Sequence, residues 1–138
     1  MDKLLQELDT FFKDNKWNQI VKKTKSIINT NKAIPPYFNL VGLSLSKLGK
    51  DLDAKKTFLE GINKFPDEIS LKSNVALVLT NLKEYDLAEK HLNDGEKINK
   101  DDIFLLYAKG HLKREQFKLQ EALKIFMRIC ENSYVLLF

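Results

Sequence analysis

The sequence is poor in the residues that interrupt helices or crosslink chains: it has one cysteine, three prolines and five glycines among 138 residues. A single cysteine excludes a disulfide within the chain and favours a reducing compartment, so we expect a cytoplasmic protein. So few turn-forming residues leave little room for the tight hairpins of an all-β protein. No apolar run approaches the ~18 residues that a membrane-spanning helix needs, which argues against a membrane partner. The composition therefore favours a single all-helical domain.

Strong charge of one sign is also missing. The 23 basic residues are mixed with 19 acidic ones, for a net charge of +4. A nucleic-acid surface needs a concentrated basic stripe that neutralises phosphates, and this balance does not provide one. We therefore predict no nucleic-acid partner.

A repeat of 34 residues runs through the chain. A small residue is followed twelve positions later by alanine in three pairs, and successive pairs lie 34 residues apart: Gly42 and Ala54, Ala76 and Ala88, Gly110 and Ala122. Four residues after each alanine comes a large apolar side chain, namely Phe58, Leu92 and Phe126. Stepping back 34 residues from Gly42 reaches Leu8, so a first, degenerate block precedes the other three. The period predicts one domain over residues 1–138 with repeats at 1–34, 35–68, 69–102 and 103–136.

Each block has the pattern of two helices. In the second block, Pro35 suits the start of a helix, and Gly49 suits a left-handed cap at its end. Asp51 is then placed to cap the following helix. We expect the small residues to lie where the two helices cross, with Phe58 filling the space beside that crossing.

These residues resemble the tetratricopeptide repeat family, which has a 34-residue period and a Leu-Gly, Tyr, Ala, Phe, Pro pattern. The second block matches it at Gly42, Ala54, Phe58 and Pro66. The resemblance covers essentially the whole chain, and it implies an all-α fold, a right-handed α-α superhelix of about eight antiparallel helices. The pentatricopeptide family, a rival also made of helix pairs, reads RNA. Its 35-residue period and its need for basic charge fit this chain less well.

The resemblance also implies a function, that of a scaffold that binds a peptide or partner protein in the concave groove lined by the first helix of each pair. In this register the groove residues are, block by block, Asp2, Leu5, Asp9 and Phe12; Asn39, Leu43, Ser46 and Lys47; Ser73, Asn74, Leu77 and Thr80; and Phe104, Tyr107, His111 and Arg114. Their polarity changes from acidic through amide and hydroxyl to aromatic and basic. We therefore expect the acidic or carboxylate-bearing part of a peptide to meet the fourth block.

The residues that carry catalysis are scarce. His91 and His111 fall on different predicted helices, and Cys130 falls on an inner helix face, where we expect it to pack in the core. The five glycines are isolated, so no phosphate-binding loop is present. We predict no catalytic residue, no metal site and no cofactor, and hence no enzyme.

Two questions stay open at the sequence level. The chain is either an adaptor in its own right or an N-terminal recognition segment of a larger enzyme, such as a transferase. The apolar residues 133–138 are a cap, the beginning of a fifth repeat, or an interface through which two chains pair as a homodimer.

Overall fold

A computed structural model describes residues 2–136, with side chains up to residue 132. The described chain forms eight α-helices and no strand, which confirms the predicted all-α class. The helices are α1 (Lys3–Lys13), α2 (Trp17–Thr24), α3 (Pro35–Lys47), α4 (Asp51–Lys64), α5 (Ile69–Asn81), α6 (Tyr85–Asn99), α7 (Ile103–Glu115) and α8 (Leu119–Leu136). The three roles predicted for residues 133–138 concern side chains outside the described residues.

The helices pack as successive pairs. Each odd-numbered helix contacts the even-numbered helix that follows it, and α1, α3, α5 and α7 lie side by side, each in contact with the next. Each pair also contacts the next one through α2 and α3, α4 and α5, or α6 and α7. The buried side chains form one continuous hydrophobic core along the stack. This arrangement is the predicted helical solenoid.

The two helices of a pair cross at the small residue of the repeat. A Cβ atom added to Gly42 would lie 2.3–2.7 Å from ring atoms of Phe58, and one added to Gly110 would lie 2.7–3.2 Å from the Phe126 ring. The third block holds Ala76 and Leu92 at the same two positions, and the first holds Leu8 and Thr24, all of them buried. The two positions therefore share a limited volume, and a larger residue on one helix goes with a smaller one on the other.

A second glycine position controls how successive pairs meet. A Cβ atom on Gly61 would lie 3.2 Å from Leu71 Cδ1, and one on Gly95 would lie 2.6 Å from Leu105 Cδ1, so each glycine admits a leucine of the next pair. The first block has the branched Ile27 at this position. There α2 ends at Thr24, and tighter i to i−3 turns replace the helix, with Ile27 N–H donating to the Thr24 carbonyl. Because Ile27 occupies the space a glycine leaves empty, the helix does not continue beside α3.

The turn inside each pair also repeats. Gly49 has φ +77°, as predicted for a left-handed cap, and Asn15, Lys83 and Phe117 hold the equivalent positions with φ near +60°. In each turn the next residue donates its N–H to a carbonyl five residues back, at 2.8 Å. The prediction that Asp51 caps α4 is wrong. Asp51 is the first residue of that helix, and its carboxylate accepts a hydrogen bond from the Ser46 hydroxyl at 3.0 Å.

The prediction that Cys130 packs in the core is also wrong, because Cys130 is exposed. It lies on α8, the last helix described, whose outer side meets no further pair among the described residues. The same helix exposes Leu119, Leu123 and Met127. Pairing of two chains through this end stays a prediction.

The shared volume at the helix crossing makes a testable prediction. Gly42→Ala should lower the free energy of unfolding by about 1–3 kcal/mol, because overpacking against Phe58 outweighs the gain in helix propensity. Phe58→Leu should also destabilise, by leaving a cavity. The double variant reproduces the Ala76 and Leu92 pair, so it should be more stable than either single variant in urea unfolding. Strictly additive losses would contradict the shared volume.

Candidate functional site

The row of first helices α1, α3, α5 and α7 carries two clefts. The C-terminal cleft, of ≈ 300 Å³, lies across α3, α5 and α7, and its lining includes Leu43, Leu77, Asn74, Tyr107 and His111. The N-terminal cleft, of ≈ 470 Å³, lies across α1, α3 and the start of α5, and its lining includes Leu5, Asp9, Asn39, Glu68 and Ser70. Each cleft has an apolar part and polar groups at its sides, a composition common in binding sites.

The structure brings together most of the residues predicted for the groove. Six of them line the C-terminal cleft: Leu43, Ser46, Asn74, Leu77, Tyr107 and His111. Asn39 lies in the N-terminal cleft, whereas Phe104 is 74% exposed and lines neither cleft. Arg114 is exposed beside His111. The predicted set therefore forms one surface, but it does not all belong to one cleft.

Ser73 and Thr80 do not reach that surface, which corrects their predicted position. Both are 1% exposed, and their hydroxyls donate to carbonyls of their own helix, Ser73 to Ile69 and Thr80 to Ala76. The register carried over from the other blocks placed them in the groove. In α5 the groove stripe lies one residue later, so neither hydroxyl is available to a ligand.

The shifted stripe contains a residue that sequence reasoning missed. Asn81 lines the C-terminal cleft and lies seven residues after Asn74 on the same helix. Residues seven apart fall on one side of a helix, so this spacing was the signal that could have found it. Lys47, from the end of α3, lines the same cleft and is exposed.

A chain of hydrogen bonds joins the two clefts. Ser70 Oγ donates to Glu68 Oε1 at 2.9 Å, Asn39 Nδ2 donates to Ser70 Oγ at 2.8 Å, and Asn74 Nδ2 donates to Asn39 Oδ1 at 2.8 Å. An ionised carboxylate only accepts, so Glu68 sets the direction of every bond that follows. Asn74 Oδ1 is left at the end as an acceptor without a partner among the described residues. It can accept a hydrogen bond from a backbone N–H of a peptide.

At the other side of the C-terminal cleft, His111 connects two polar groups. Arg114 Nη2 lies 2.7 Å from His111 Nδ1, and His111 Nε2 lies 3.1 Å from Asn81 Oδ1. A guanidinium only donates, so Nδ1 is the acceptor and Nε2 carries the proton. Burial, followed by the charge of Arg114, lowers the pKa of His111 below its ordinary value of 6.5. The neutral ring thus holds Arg114 at the edge of the cleft.

Asp2, at the far end of the row, is already engaged within the fold. Its carboxylate accepts hydrogen bonds from the Leu4 N–H, which caps α1, and from the Tyr37 hydroxyl. The Tyr37 bond lowers the pKa of Asp2, while burial and the same bond raise the pKa of Tyr37 to about 12. Asp2 therefore ties α1 to α3, and Asp9 is the freer carboxylate of this end.

The candidates for chemistry are dispersed. His91 is buried in α6 with Nδ1 unpartnered, and burial, with a smaller effect of Lys72, lowers its pKa. Among the described residues, no three His, Cys, Asp or Glu side chains lie together as metal ligands do. No helix in the described part of the chain is long and apolar enough to cross a membrane.

The histidine geometry makes a prediction that NMR can check. At pH 7 the long-range ¹⁵N spectrum of the imidazole should show His111 protonated on Nε2, and its pKa should lie below 6.5. Arg114→Gln should raise that pKa, because the nearby positive charge is lost, but burial should keep it below 6.5.

The effect on stability has a fixed sign. The unfolded chain takes up this proton first as the pH falls, so the free energy of unfolding should decrease below pH 6.5. A His111 pKa above 6.5 in the folded chain would contradict the geometry.

Comparisons with known proteins agree with the fold. No model of a known protein family matches the chain. A TPR repeat-containing protein of Methanocaldococcus jannaschii is 38% identical over 77 residues, 55% of this chain, and the match spans only 22% of that relative's length. A MamA crystal structure has a TM-score of 0.75 at 16% identity, over 95% of this chain and 77% of the other. MamA from Desulfovibrio magneticus RS-1 has a TM-score of 0.71 at 16% identity, over 95% and 76%.

The likeness to MamA is one of fold, because the sequence identity is low. The relative that carries the repeat in its name matches over more than half of this chain. Together with the 34-residue period and the eight paired helices, these matches confirm the resemblance seen in the sequence: the chain is a tetratricopeptide-repeat protein by its repeat and its fold.

Proposed function

We propose that the chain is a protein-interaction scaffold, not an enzyme, and that it binds an extended peptide in the clefts across α3, α5 and α7. The observation that carries this proposal is the C-terminal cleft, where three successive first helices contribute to one surface. Leu43 and Leu77 offer apolar contact, and Tyr107 is half exposed beside them. A rigid aromatic next to an apolar floor is a typical anchor for a partner.

The polar groups support a peptide over a small metabolite. Asn74 Oδ1 and the hydroxyl of Ser46 can bond to a peptide backbone without requiring a particular side chain. Arg114 has one terminal nitrogen, Nη1, without a partner among the described residues, and can donate it to a carboxylate. In this proposal the acidic part of the ligand therefore meets α7. A recognition segment serving a larger enzyme would use the same surface, and that alternative stays a prediction.

The proposal predicts which surface a selected ligand uses. Phage displaying random ten-residue peptides are panned on the intact chain, and the affinity of the best peptide is measured by fluorescence anisotropy. Tyr107→Ala should weaken binding about 30-fold or more, as loss of an aromatic anchor does. Phe117→Ala removes an equally exposed aromatic from the turn before α8, so it should change affinity less than twofold.

A charge reversal gives a second, matched comparison. Arg114→Glu should weaken the same peptide sharply, whereas Lys90→Glu, the same change of charge on the exposed part of α6, should not. Circular dichroism should show that all four variants fold. Unchanged affinity in both Tyr107→Ala and Arg114→Glu, or no enriched peptide at all, would contradict the proposed function.

A further inference from the structure

Charges of opposite sign are separated along the row of first helices. The N-terminal cleft has two carboxylates, Asp9 and Glu68, and no basic residue in its lining. The C-terminal cleft has Lys47 and no acidic residue in its lining, and Arg114 stands at its edge, held by His111. The row is therefore negative towards α1 and positive towards α7.

These charges differ from most others on the chain in lacking a partner of opposite sign. Elsewhere the solenoid pairs its charges, as between Lys55 and Glu84 at 3.0 Å and between Lys109 and Glu96 at 2.6 Å. Among the described residues, Asp9, Glu68 and Lys47 form no ion pair, and Arg114 has only an exposed, 3.8 Å contact with Glu115. A ligand can therefore supply the missing partners.

The distance between the two ends suits a short extended segment. Neighbouring packed helices lie about 8–10 Å apart, so three steps from α1 to α7 cover about 24–30 Å. An extended chain rises about 3.3 Å per residue, so about eight or nine residues reach from one end to the other. Between the ends, the amides of Asn39 and Asn74 face the segment, and they discriminate little between side chains.

We infer that the peptide bound by this row is charge-ordered and binds in one direction, with its basic end at Asp9 and Glu68 and its acidic end at Lys47 and Arg114. The inference rests on the proposed function and adds the ligand class to it. Charge order at the two ends, more than the sequence between them, selects the ligand. A peptide turned round places like charges together at both ends, which opposes binding.

The test uses the best peptide selected from the random ten-residue library and the intact chain. Its sequence should carry acidic residues at one end and basic residues at the other. The double variant Asp9→Lys, Lys47→Glu reverses both ends without changing the net charge, and it should weaken binding at least tenfold. The matched control Glu89→Lys, Lys90→Glu exchanges two exposed charges on α6 and should leave the affinity within twofold. The difference between the two double variants should shrink at 0.5 M salt, because salt screens exposed charges.

Direction is read separately by a nitroxide label on either end of that peptide. A label on the acidic end should broaden amide signals of α7, and a label on the basic end should broaden those of α1. Equal broadening of α1 and α7, the opposite pattern, or enriched peptides without charge order would overturn the inference. Binding that Tyr107→Ala abolishes but the Asp9→Lys, Lys47→Glu variant leaves intact would overturn this inference alone. Binding that Tyr107→Ala leaves unchanged would instead count against the proposed function.

Discussion

The close crossing of the two helices in each pair is the contact on which the rest of the structure depends. The ring of Phe58 lies where a side chain on Gly42 would otherwise be, and Phe126 does the same at Gly110. Because the packed interior leaves no spare volume there, the repeat keeps the sum of the two residues within limits and varies the pair. The first helices then come to lie side by side, and their outward surface becomes a continuous row that holds both clefts.

Departures from the repeat explain the irregular parts of the solenoid. Ile27 replaces the glycine that elsewhere admits a leucine of the next pair, and α2 ends early as a result. Lys83 and Phe117 take the left-handed conformation that only Gly49 adopts without strain. The hydrogen bond that closes each turn is the same in all four blocks, so the turn tolerates side chains that a local preference would reject.

The sequence predicted the architecture well because a 34-residue period reports packing between helices, and packing decides this fold. It predicted local details less well. Asp51 has the chemistry of a cap, but the helix begins at Asp51 itself. Cys130 has the periodicity of a core residue, but the core needs a further pair to cover it. Ser73 and Thr80 followed the register of the other blocks, whereas the burial of α5 depends on its contacts with α7, which a register cannot supply. Asn81, on the same helix, was missed for the same reason.

The central claim is that the row formed by α3, α5 and α7 is the surface that meets a partner. The most direct measurement is a titration of the ¹⁵N-labelled chain with a selected peptide, followed by backbone amide shifts. The account predicts that the largest changes fall on α3, α5 and α7, around Asn39, Asn74, Asn81 and His111, with little change on α4 and α6. Changes centred on α4 and α6, with α5 and α7 unmoved, would contradict it.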